Sequence, residues 1–400
     1  MASFTLSFRP SAVNGRQGKI YFQISHNRVV RLLSTDYKIH KEEWNKKTKS
    51  ICLSNEDSDK SNHLNHIKEQ LEWDTERLKK VIQQLKAEQR SFTVNHIIAA
   101  FQELSKATSF RLFTLEIIEQ LKQLGQPRTS ETYATTLRSF MDFREGYDMP
   151  VNAISSDLML LYESYLKRTE IRMNSVSFYL RILRAIYNRA VEKGLAEQCH
   201  PFRHVYTGVE KTIKRAVSVQ TLKALKNLDL SDKPSWQFTR DIFLFSFYTR
   251  GMSFVDMAYL EKKNLKNGIL TYCRRKTGQQ LAIHWEKCMA DIVAKYGNEN
   301  SIYLLPIIKT TDNTCLQYKS SQRLMNYNLK RISERLKLQY PLTMYVARHS
   351  WASIAKNNNI PLAVISEGMG HDSETTTQIY LASLENSIID KANKKIIDLL

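Results

Sequence analysis

Three residues near the end of the chain have side chains and spacings suited to chemistry on a phosphodiester. Arg348 lies in the segment YVARHSW, His371 follows 23 residues later in the pair Gly370-His371, and Tyr380 comes nine residues after that. A tyrosine hydroxyl, with a pKa of about 10, needs help to become a nucleophile, and a histidine can accept or share its proton. A planar, permanently charged arginine can hold two phosphate oxygens. Together these residues predict attack of Tyr380 on a phosphodiester.

A lysine in a hairpin could complete this chemistry. The departing 5′ oxygen is a poor leaving group and needs a general acid. Lys276 lies in GILTYCRRKTGQQLAIHW, at the turn Lys276-Thr277-Gly278 of a predicted hairpin. No GxxxxGK[ST] phosphate loop occurs, and no paired carboxylates suggest a magnesium site. We therefore predict phosphoryl transfer through a covalent tyrosine adduct, with no cofactor and no metal.

The same stretch also permits a simpler interpretation. TMYVARHSWASIAKNNNIPLAVISEGMG resembles a helix-turn-helix, with residues 357–359 as the turn. Each residue alone is weak evidence, because most tyrosines, histidines and arginines have structural roles. A DNA-binding regulator without catalytic activity is thus an alternative from a different functional class.

The composition favours a polyanionic partner. Lysine and arginine number 59 against 40 acidic residues, which gives a net charge of +19 and a pI near 9.6. Such a charge is typical of proteins that bind nucleic acid. No window of roughly 18 apolar residues suggests a membrane span, and no signal peptide pattern occurs. The five cysteines never form CxxC, so we expect reduced thiols and a cytoplasmic protein.

The first 90 residues predict a small basic sheet followed by a helix. The runs FTLSF, KIYFQIS and RVVRLLS alternate apolar and polar residues, with turn residues at Asn14-Gly15 and His26-Asn27. Apolar residues then recur at helical spacing up to about Ala87. We interpret residues 1–90 as an arm-type DNA-binding-like sheet with a coupling helix, whose apolar stripe is core rather than a partner groove.

Residues 93–202 have a purely helical pattern in four or five segments. One helix is predicted from about Asn174 to Lys193. It ends at Gly194, because a glycine in the left-handed conformation is the usual C-terminal cap of a helix. Basic and polar or aromatic side chains alternate along it, which favours contacts with a DNA groove and phosphates, although a solvated basic face is the alternative. The candidate DNA-binding residues are Arg172, Ser175, Tyr179, Arg181 and Arg184.

The rest of the chain predicts a linker and a second globular unit. Residues 201–216 are basic without apolar period and read as a linker, and residues 216–400 form the unit that carries Arg348. It begins with an apolar helix over 241–260 and ends in an amphipathic tail after Tyr380. The fold class is therefore α+β and mostly helical, with a small N-terminal antiparallel sheet, a helical middle domain and a mixed C-terminal domain.

The order of these motifs resembles the tyrosine recombinases, the phage integrase superfamily. The resemblance covers nearly the whole chain: an arm-binding-like sheet, a helical core-binding (SAM-like) domain and a catalytic domain. The segments YTRGMSFVDMAYL, YVARHSWASIAK and SEGMGHDSETTTQIYLAS are similar to integrases and invertases of Bacteroides-type bacteria and their mobile elements.

The resemblance assigns roles residue by residue. It implies that Tyr380 forms a 3′-phosphotyrosine, that Lys276 is the general acid, and that Arg348 and His371 belong to the catalytic set. Tyr345 replaces the histidine of the family's HxxR pattern, so it can donate a hydrogen bond but cannot act as an imidazole base.

A second departure concerns the first catalytic arginine of the family. Its expected position, three residues before Asp256, is Ser253. Arg250 lies one helical turn earlier on the predicted helix and is assigned the role, with Arg274 or Arg275 as alternatives.

The resemblance implies a site-specific DNA recombinase that acts as a homo-tetramer on two double-stranded DNA sites. It leaves open the target sequence, the choice among integration, excision and inversion, and whether an accessory DNA-bending protein takes part. A relaxing enzyme like the type IB topoisomerases shares the chemistry, but relaxation does not need the separate basic N-terminal sheet.

Overall fold

The computed structural model describes residues 2–52, 58–88, 91–210 and 215–381, with residues 393–394 and 396–398 near the end of the chain. For residues 58–62, 376 and 379–381 it describes the backbone alone. The chain divides into two compact units, the N-terminal unit Met1–Lys211 and the C-terminal unit Thr212–Leu400. The amphipathic tail predicted after Tyr380 falls almost wholly outside the described residues.

The N-terminal unit begins with a three-stranded antiparallel sheet, as the alternating pattern predicts. Its strands are β1 (Ser3–Arg9), β2 (Gly18–His26) and β3 (Val29–Ile39), in that order. Asn27 and Arg28, both with positive φ, form the two-residue turn between β2 and β3, the geometry that suits the twist of a hairpin. A short hairpin of β4 (Trp44–Asn45) and β5 (Ser50–Ile51) follows.

Two helices cover the inner face of this sheet. The predicted long helix is α1 (Ser58–Ala87), and its leucine and isoleucine stripe is buried, which confirms that the stripe is core. Helix α2 (Val94–Thr108) contributes Val94, Ile97 and Phe101 to the same core. Helix α2 therefore packs with the sheet and α1. The predicted boundary at residue 93, between the N-terminal sheet domain and the helical domain, stays a prediction.

The rest of the N-terminal unit is helical and has a second core. The helices are α3 (Phe110–Gln123), α4 (Pro127–Phe143), α5 (Ser156–Arg168) and α6 (Met173–Glu192). Gly194, with φ of +69°, follows α6 in the left-handed conformation that its position predicts. Phe202 and Val205 are buried in this core, so the first part of the segment predicted as a linker belongs to the helical domain.

The C-terminal unit surrounds one large apolar core with helices and a small sheet. The helices before the sheet are α7 (Val219–Asn227), α8 (Pro234–Tyr248) and α9 (Phe254–Ala258). The antiparallel sheet runs β6 (Leu265–Lys266), β7 (Ile269–Cys273) and β8 (Gln280–His284). The helices after it are α10 (Lys287–Tyr296), α11 (Thr314–Arg335), α12 (Met344–Asn357), α13 (Leu362–Met369) and α14 (Glu374–Leu381).

The prediction of one apolar helix over residues 241–260 is wrong. Helix α8 ends at Tyr248, and α9 begins only at Phe254. Between them, Arg250 (φ +58°) and Gly251 (φ +75°) adopt left-handed conformations, and the Gly251 amide donates to the Ser246 carbonyl at 2.8 Å. This is the hydrogen bond of a Schellman-type helix end, which reverses the chain direction.

Two further findings bear on the predictions from composition. Among the described residues, no helix is both long and apolar enough to cross a lipid bilayer. All five cysteines are free thiols, four of them exposed.

Candidate active site

Arg348 is buried at the centre of the candidate site. It lies on α12, which the core anchors through the buried side chains of Met344, Val346 and Ala347. Its side chain is only 4% exposed, and its guanidinium donates to the Gly251 carbonyl at 2.8 Å and to the Met369 carbonyl at 2.6 Å. The Met369 carbonyl is at the C-terminal end of α13, where the helix dipole favours a positive charge.

Gly251 packs directly against Arg348. A Cβ atom placed on Gly251 would lie 2.7 Å from Arg348 Cα and 2.8 Å from its Cγ. Any side chain there would push the two segments apart, so the position after Arg250 strongly favours glycine. The reversal between α8 and α9 is thereby in direct contact with α12.

His371 is held beside Arg348 by a second Schellman-type helix end. Gly370 (φ +63°) follows α13 in the left-handed conformation, and the His371 amide donates to the Ser366 carbonyl at 3.0 Å. His371 Nε2 lies 2.9 Å from Arg348 Nη2, and Nδ1 lies 2.7 Å from Thr377 Oγ1. A guanidinium can only donate, so Nε2 accepts and the ring proton is on Nδ1.

The surroundings of His371 keep its ring neutral. Burial is the largest cause, and the positive charges of Arg348, Arg274 and Lys276 add to it, so that the pKa falls from 6.5 to about 4. In this arrangement both ring nitrogens are engaged, and His371 orients Arg348. To take a proton from a tyrosine, Nε2 would first have to release the guanidinium.

The predicted hairpin brings a second arginine to the same place. Cys273 pairs with Gln280, and the six residues between them form the turn that carries Arg274 and Lys276. Arg274 is 8% exposed and donates through Nη1 to the Gly370 carbonyl, next to His371. Among the described residues, Arg274 has no carboxylate partner within 4.0 Å. Lys276 is exposed.

Arg250 also lies near this cluster, but it is not on the helix face that the sequence predicts. The assignment assumed a continuous helix in which Arg250 and Ser253 share a face, and this helix does not exist. Arg250 is half-buried, and its Cδ lies 3.7 Å from a Cβ atom placed on Gly368. Its charge, with those of Arg348 and Arg274, acts to lower the pKa of Tyr272, although burial dominates and raises that pKa. Three arginines thus converge around Tyr272, and two of them, Arg348 and Arg274, also act on His371.

The two candidate tyrosines are less completely described. Tyr345 lies one helical turn before Arg348 on α12, is 53% exposed, and contacts the His349 ring edge-on at a centroid distance of 4.8 Å. Tyr380 belongs to α14, which follows the turn that contains His371, but its side chain is outside the described residues. The backbone alone places Tyr380 on the element that also holds Thr377.

Sequence analysis missed several residues that shape this site. Gly251 and Thr377 are in direct contact with Arg348 and His371, and Asp256 is hydrogen-bonded to the turn that carries Lys276. Gly251 had a readable signal, because a glycine just after an apolar helix is typical of a helix end. Thr377 had none that distinguishes it from an ordinary helix residue, and Asp256 entered the sequence analysis only as the reference for the expected position of the first arginine.

The candidate DNA-binding residues lie on and beside α6 in the N-terminal unit. Arg172 precedes the first residue of α6, and Arg172, Ser175, Arg181 and Arg184 are exposed. Tyr179 is half-buried and packs edge-on against Phe178 at 5.5 Å. The opposite face of α6 is buried in the helical core.

Comparison with protein families gives matches in both units. Residues 109–205 match the model described as the phage integrase SAM-like domain, and residues 220–387 match the phage integrase family. The second match includes Arg250, Lys276, Tyr345, Arg348, His371 and Tyr380.

Curated relatives agree with these matches. The tyrosine recombinase XerC of Halalkalibacterium halodurans is 25% identical over 270 residues, which are 65% of this chain and 88% of the relative. XerA of Thermococcus kodakarensis is 24% identical and covers 66% of this chain and 90% of the relative. A probable integrase of prophage ps2 from Lactococcus lactis is 40% identical, but over only 18% of this chain and 20% of its own length.

Solved structures share the fold at low sequence identity. A lambda integrase fragment (residues 75–356) crystallised as a dimer on a core site has a TM-score of 0.53 at 15% identity and covers 68% of this chain and 95% of its own. The Tn1549 transposon integrase has a TM-score of 0.53 at 13% identity, with 72% and 99% covered. The family matches, the relatives and the shared fold have one explanation: this chain belongs to the phage integrase family of tyrosine recombinases, the site-specific DNA recombinases.

Proposed function

We propose that this protein cuts and rejoins double-stranded DNA at specific sites, with Tyr380 as the nucleophile that forms a 3′-phosphotyrosine. The observation that carries the proposal is the buried, hydrogen-bonded pair Arg348–His371, joined to Arg274 through the backbone of residues 369–371. Such a cationic pocket is shaped before DNA arrives, which is how phosphoryl transfer is best accelerated.

The chain's own residues can account for each step. Arg348 and Arg274 bind the non-bridging oxygens of the scissile phosphate, and His371 keeps the Arg348 guanidinium in place. The Tyr380 hydroxyl loses its proton to solvent as its oxygen attacks phosphorus, the bond to the 5′ oxygen breaks, and Lys276 gives that oxygen a proton. Tyr345 is 53% exposed, and its hydroxyl can add a hydrogen bond to the phosphate. A 5′ hydroxyl later gives its proton back to Lys276 and attacks the phosphotyrosine, and the released Tyr380 oxygen takes a proton from solvent, so no external energy source enters.

Arg274 is the better candidate for the missing first arginine. It is more buried than Arg250, it shares the hairpin with Lys276, and its guanidinium is fixed beside His371. Arg250 stays as the second candidate because it lies at the edge of the same cluster. We expect Arg274→Ala to lower single-turnover cleavage at least about a hundredfold, the usual effect of losing a transition-state charge, and Arg250→Ala to stay within about tenfold of wild type. The reverse order would return the role to Arg250.

We further propose that DNA contacts the exposed face of α6 through Arg172, Ser175, Tyr179, Arg181 and Arg184. The solved lambda integrase structures include a dimer on a core site and a tetramer on a Holliday junction. A homo-tetramer on two DNA sites is the corresponding assembly for this chain, with or without an accessory DNA-bending protein. A mobile element is the corresponding genetic setting, since relatives include a prophage integrase and structural neighbours include a transposon integrase.

The central test is covalent trapping. A duplex selected from a random pool by the purified protein is nicked near the cleavage position, so that cleavage releases a short fragment and traps the adduct. Wild type should give a denaturation-resistant protein–DNA band, and Tyr380→Phe should give none. DNA binding without any covalent band would favour the regulator. Relaxation of supercoiled plasmid lacking the selected site, at a rate similar to plasmid with it, would favour the relaxing enzyme.

A further inference from the structure

Asp256 is a buried carboxylate in direct contact with the turn that carries Arg274 and Lys276. We propose that Asp256 is a positioning residue, which holds this turn through its backbone so that Lys276 can reach the leaving oxygen. The proposal rests on the proposed function, since it concerns the delivery of the general acid.

Both oxygens of Asp256 have defined partners. The Arg275 amide donates to Oδ1 at 2.9 Å, and the Ser253 hydroxyl donates to Oδ2 at 2.6 Å. Asp256 is only 5% exposed, and among the described residues no lysine or arginine side chain forms an ion pair with it. A buried carboxylate without a cation is stabilised by hydrogen bonds, so the Arg275 amide is a principal partner.

The Arg275 side chain is attached to the same short helix. Its guanidinium carbon lies 4.0 Å from the centroid of the Tyr259 ring, a cation–π contact. Tyr259 directly follows α9, three residues after Asp256, and its ring packs near those of Tyr303 and Tyr318. Residue 275 is thus fixed to α9 at both its backbone and its side chain.

This attachment lies between the two residues that the chemistry needs. Arg274 points to the Gly370 carbonyl, and Lys276 is exposed on the other side of residue 275. Arg274 has its own anchors, including the bond from its amide to the Gln279 carbonyl at 2.8 Å. No side-chain hydrogen bond or ion pair holds Lys276 among the described residues, so its position depends mainly on residue 275.

Ser253 has a specific part in this arrangement. It occupies the position where the family pattern has an arginine, and it caps α9 by accepting from the Asp256 amide at 3.4 Å. Its hydroxyl also orients the carboxylate toward the hairpin. Where the family pattern has an arginine, this chain thus has a serine that supports, through Asp256, the turn bearing Arg274 and Lys276.

The test compares two leaving groups in single-turnover cleavage. In one DNA the scissile bond has the normal 5′ oxygen, and in the other a 5′-bridging sulfur, which leaves as a thiolate without needing a proton. We expect Asp256→Ala to slow cleavage of the oxygen substrate about tenfold to a hundredfold, as for loss of a hydrogen bond to a charged group. The sulfur substrate should recover most of that loss, as it should for Lys276→Ala.

Conservative variants separate positioning from charge. Asp256→Asn keeps an oxygen for the Arg275 amide and can donate from its NH2 group to the Ser253 hydroxyl oxygen, so it should cleave within about threefold of wild type. Ser253→Ala and Arg275→Leu should show smaller losses with the same sulfur rescue, and they provide the test if Asp256→Ala does not fold. The matched control is Lys233→Leu, which removes another stacked cation, 5.2 Å from Trp236, and should change neither substrate.

Each outcome has one meaning. Oxygen-specific loss that sulfur restores supports the proposal, whereas Arg348→Ala should be slow on both substrates. Normal cleavage by Asp256→Ala, or a loss that sulfur does not restore in a folded variant that still binds DNA, overturns it. Wild-type protein that forms no covalent complex with selected DNA, or a Tyr380→Phe variant that still does, would instead overturn the proposed function.

Discussion

Replacing Gly251 with alanine should disable cleavage while the protein still folds and binds DNA. A Cβ atom at this position would lie 2.7 Å from Arg348 Cα, 2.8 Å from Cγ and 2.9 Å from Cβ. Carbon atoms in contact are normally about 3.5–4.0 Å apart, so the two segments must separate by about 1 Å. The closest atom belongs to the backbone of α12, and therefore a rotamer change cannot relieve the contact.

The size of the effect follows from two terms. An alanine in the left-handed conformation costs about 1–2 kcal/mol, and overpacking of a filled contact costs about 1–3 kcal/mol, so unfolding should become easier by about 2–5 kcal/mol. The separation also weakens the bond from Arg348 to the Gly251 carbonyl, now 2.8 Å. A displacement of about 1 Å at a reacting centre can lower the rate about a hundredfold.

The assay is single-turnover formation of the covalent complex, together with thermal unfolding and a gel-shift measurement of DNA binding. Gly268→Ala is the matched control: Gly268 has φ of +73°, and a Cβ atom there meets nothing within 4 Å. In that variant the free energy of unfolding should fall only by the about 1–2 kcal/mol that an alanine in the left-handed conformation costs, and cleavage should be normal. Equal cleavage rates for the two folded variants would refute the steric reasoning.

Three further predictions concern the surroundings of the site. The pKa of His371 is about 4 in the folded protein, below its ordinary value of 6.5, so the unfolded chain takes up a proton at higher pH than the folded protein does. His371 should therefore lower the free energy of unfolding as pH falls from 6.5 to 4, and it should have no effect above pH 6.5. Urea unfolding of wild type and His371→Asn across this range checks it, and a parallel pH dependence would contradict it. Thr377→Val removes the acceptor for His371 Nδ1 and should slow single-turnover cleavage about tenfold, whereas an unchanged rate would rule out this orienting role. Asp241→Ala removes a buried carboxylate that bonds to the buried Arg240 and to the partly exposed Lys295, and it should lower the unfolding free energy by about 2–3 kcal/mol, measured in urea, without changing cleavage by the folded protein.

Local patterns were sufficient for much of the fold. The three N-terminal strands, helix α1 with its buried stripe, the end of α6 at Gly194 and the hairpin at Lys276 all follow from residue periodicity and turn chemistry. These features depend on neighbours a few residues apart, so the sequence contains the information directly.

The failures have a different physical origin. The segment 241–260 is apolar throughout and has good helical periodicity, yet the chain reverses at Arg250, a residue type that seldom adopts positive φ. The close approach of Gly251 to Arg348 compensates for this conformation, and that contact joins residues 97 positions apart. Local propensity favours a continuous helix there, and tertiary packing overrides it.

The sequence by itself determined the residue types and their order: a tyrosine, a histidine, a lysine and several arginines at spacings that resemble the tyrosine recombinases. Only the tertiary structure decided how they act together. Arg274 reaches the carbonyl of Gly370, 96 residues away, and Arg348 holds the acceptor nitrogen of a neutral His371. The reason is that burial and mutual charge set the tautomer and the pKa of His371, and these depend on distances between segments that no local pattern encodes.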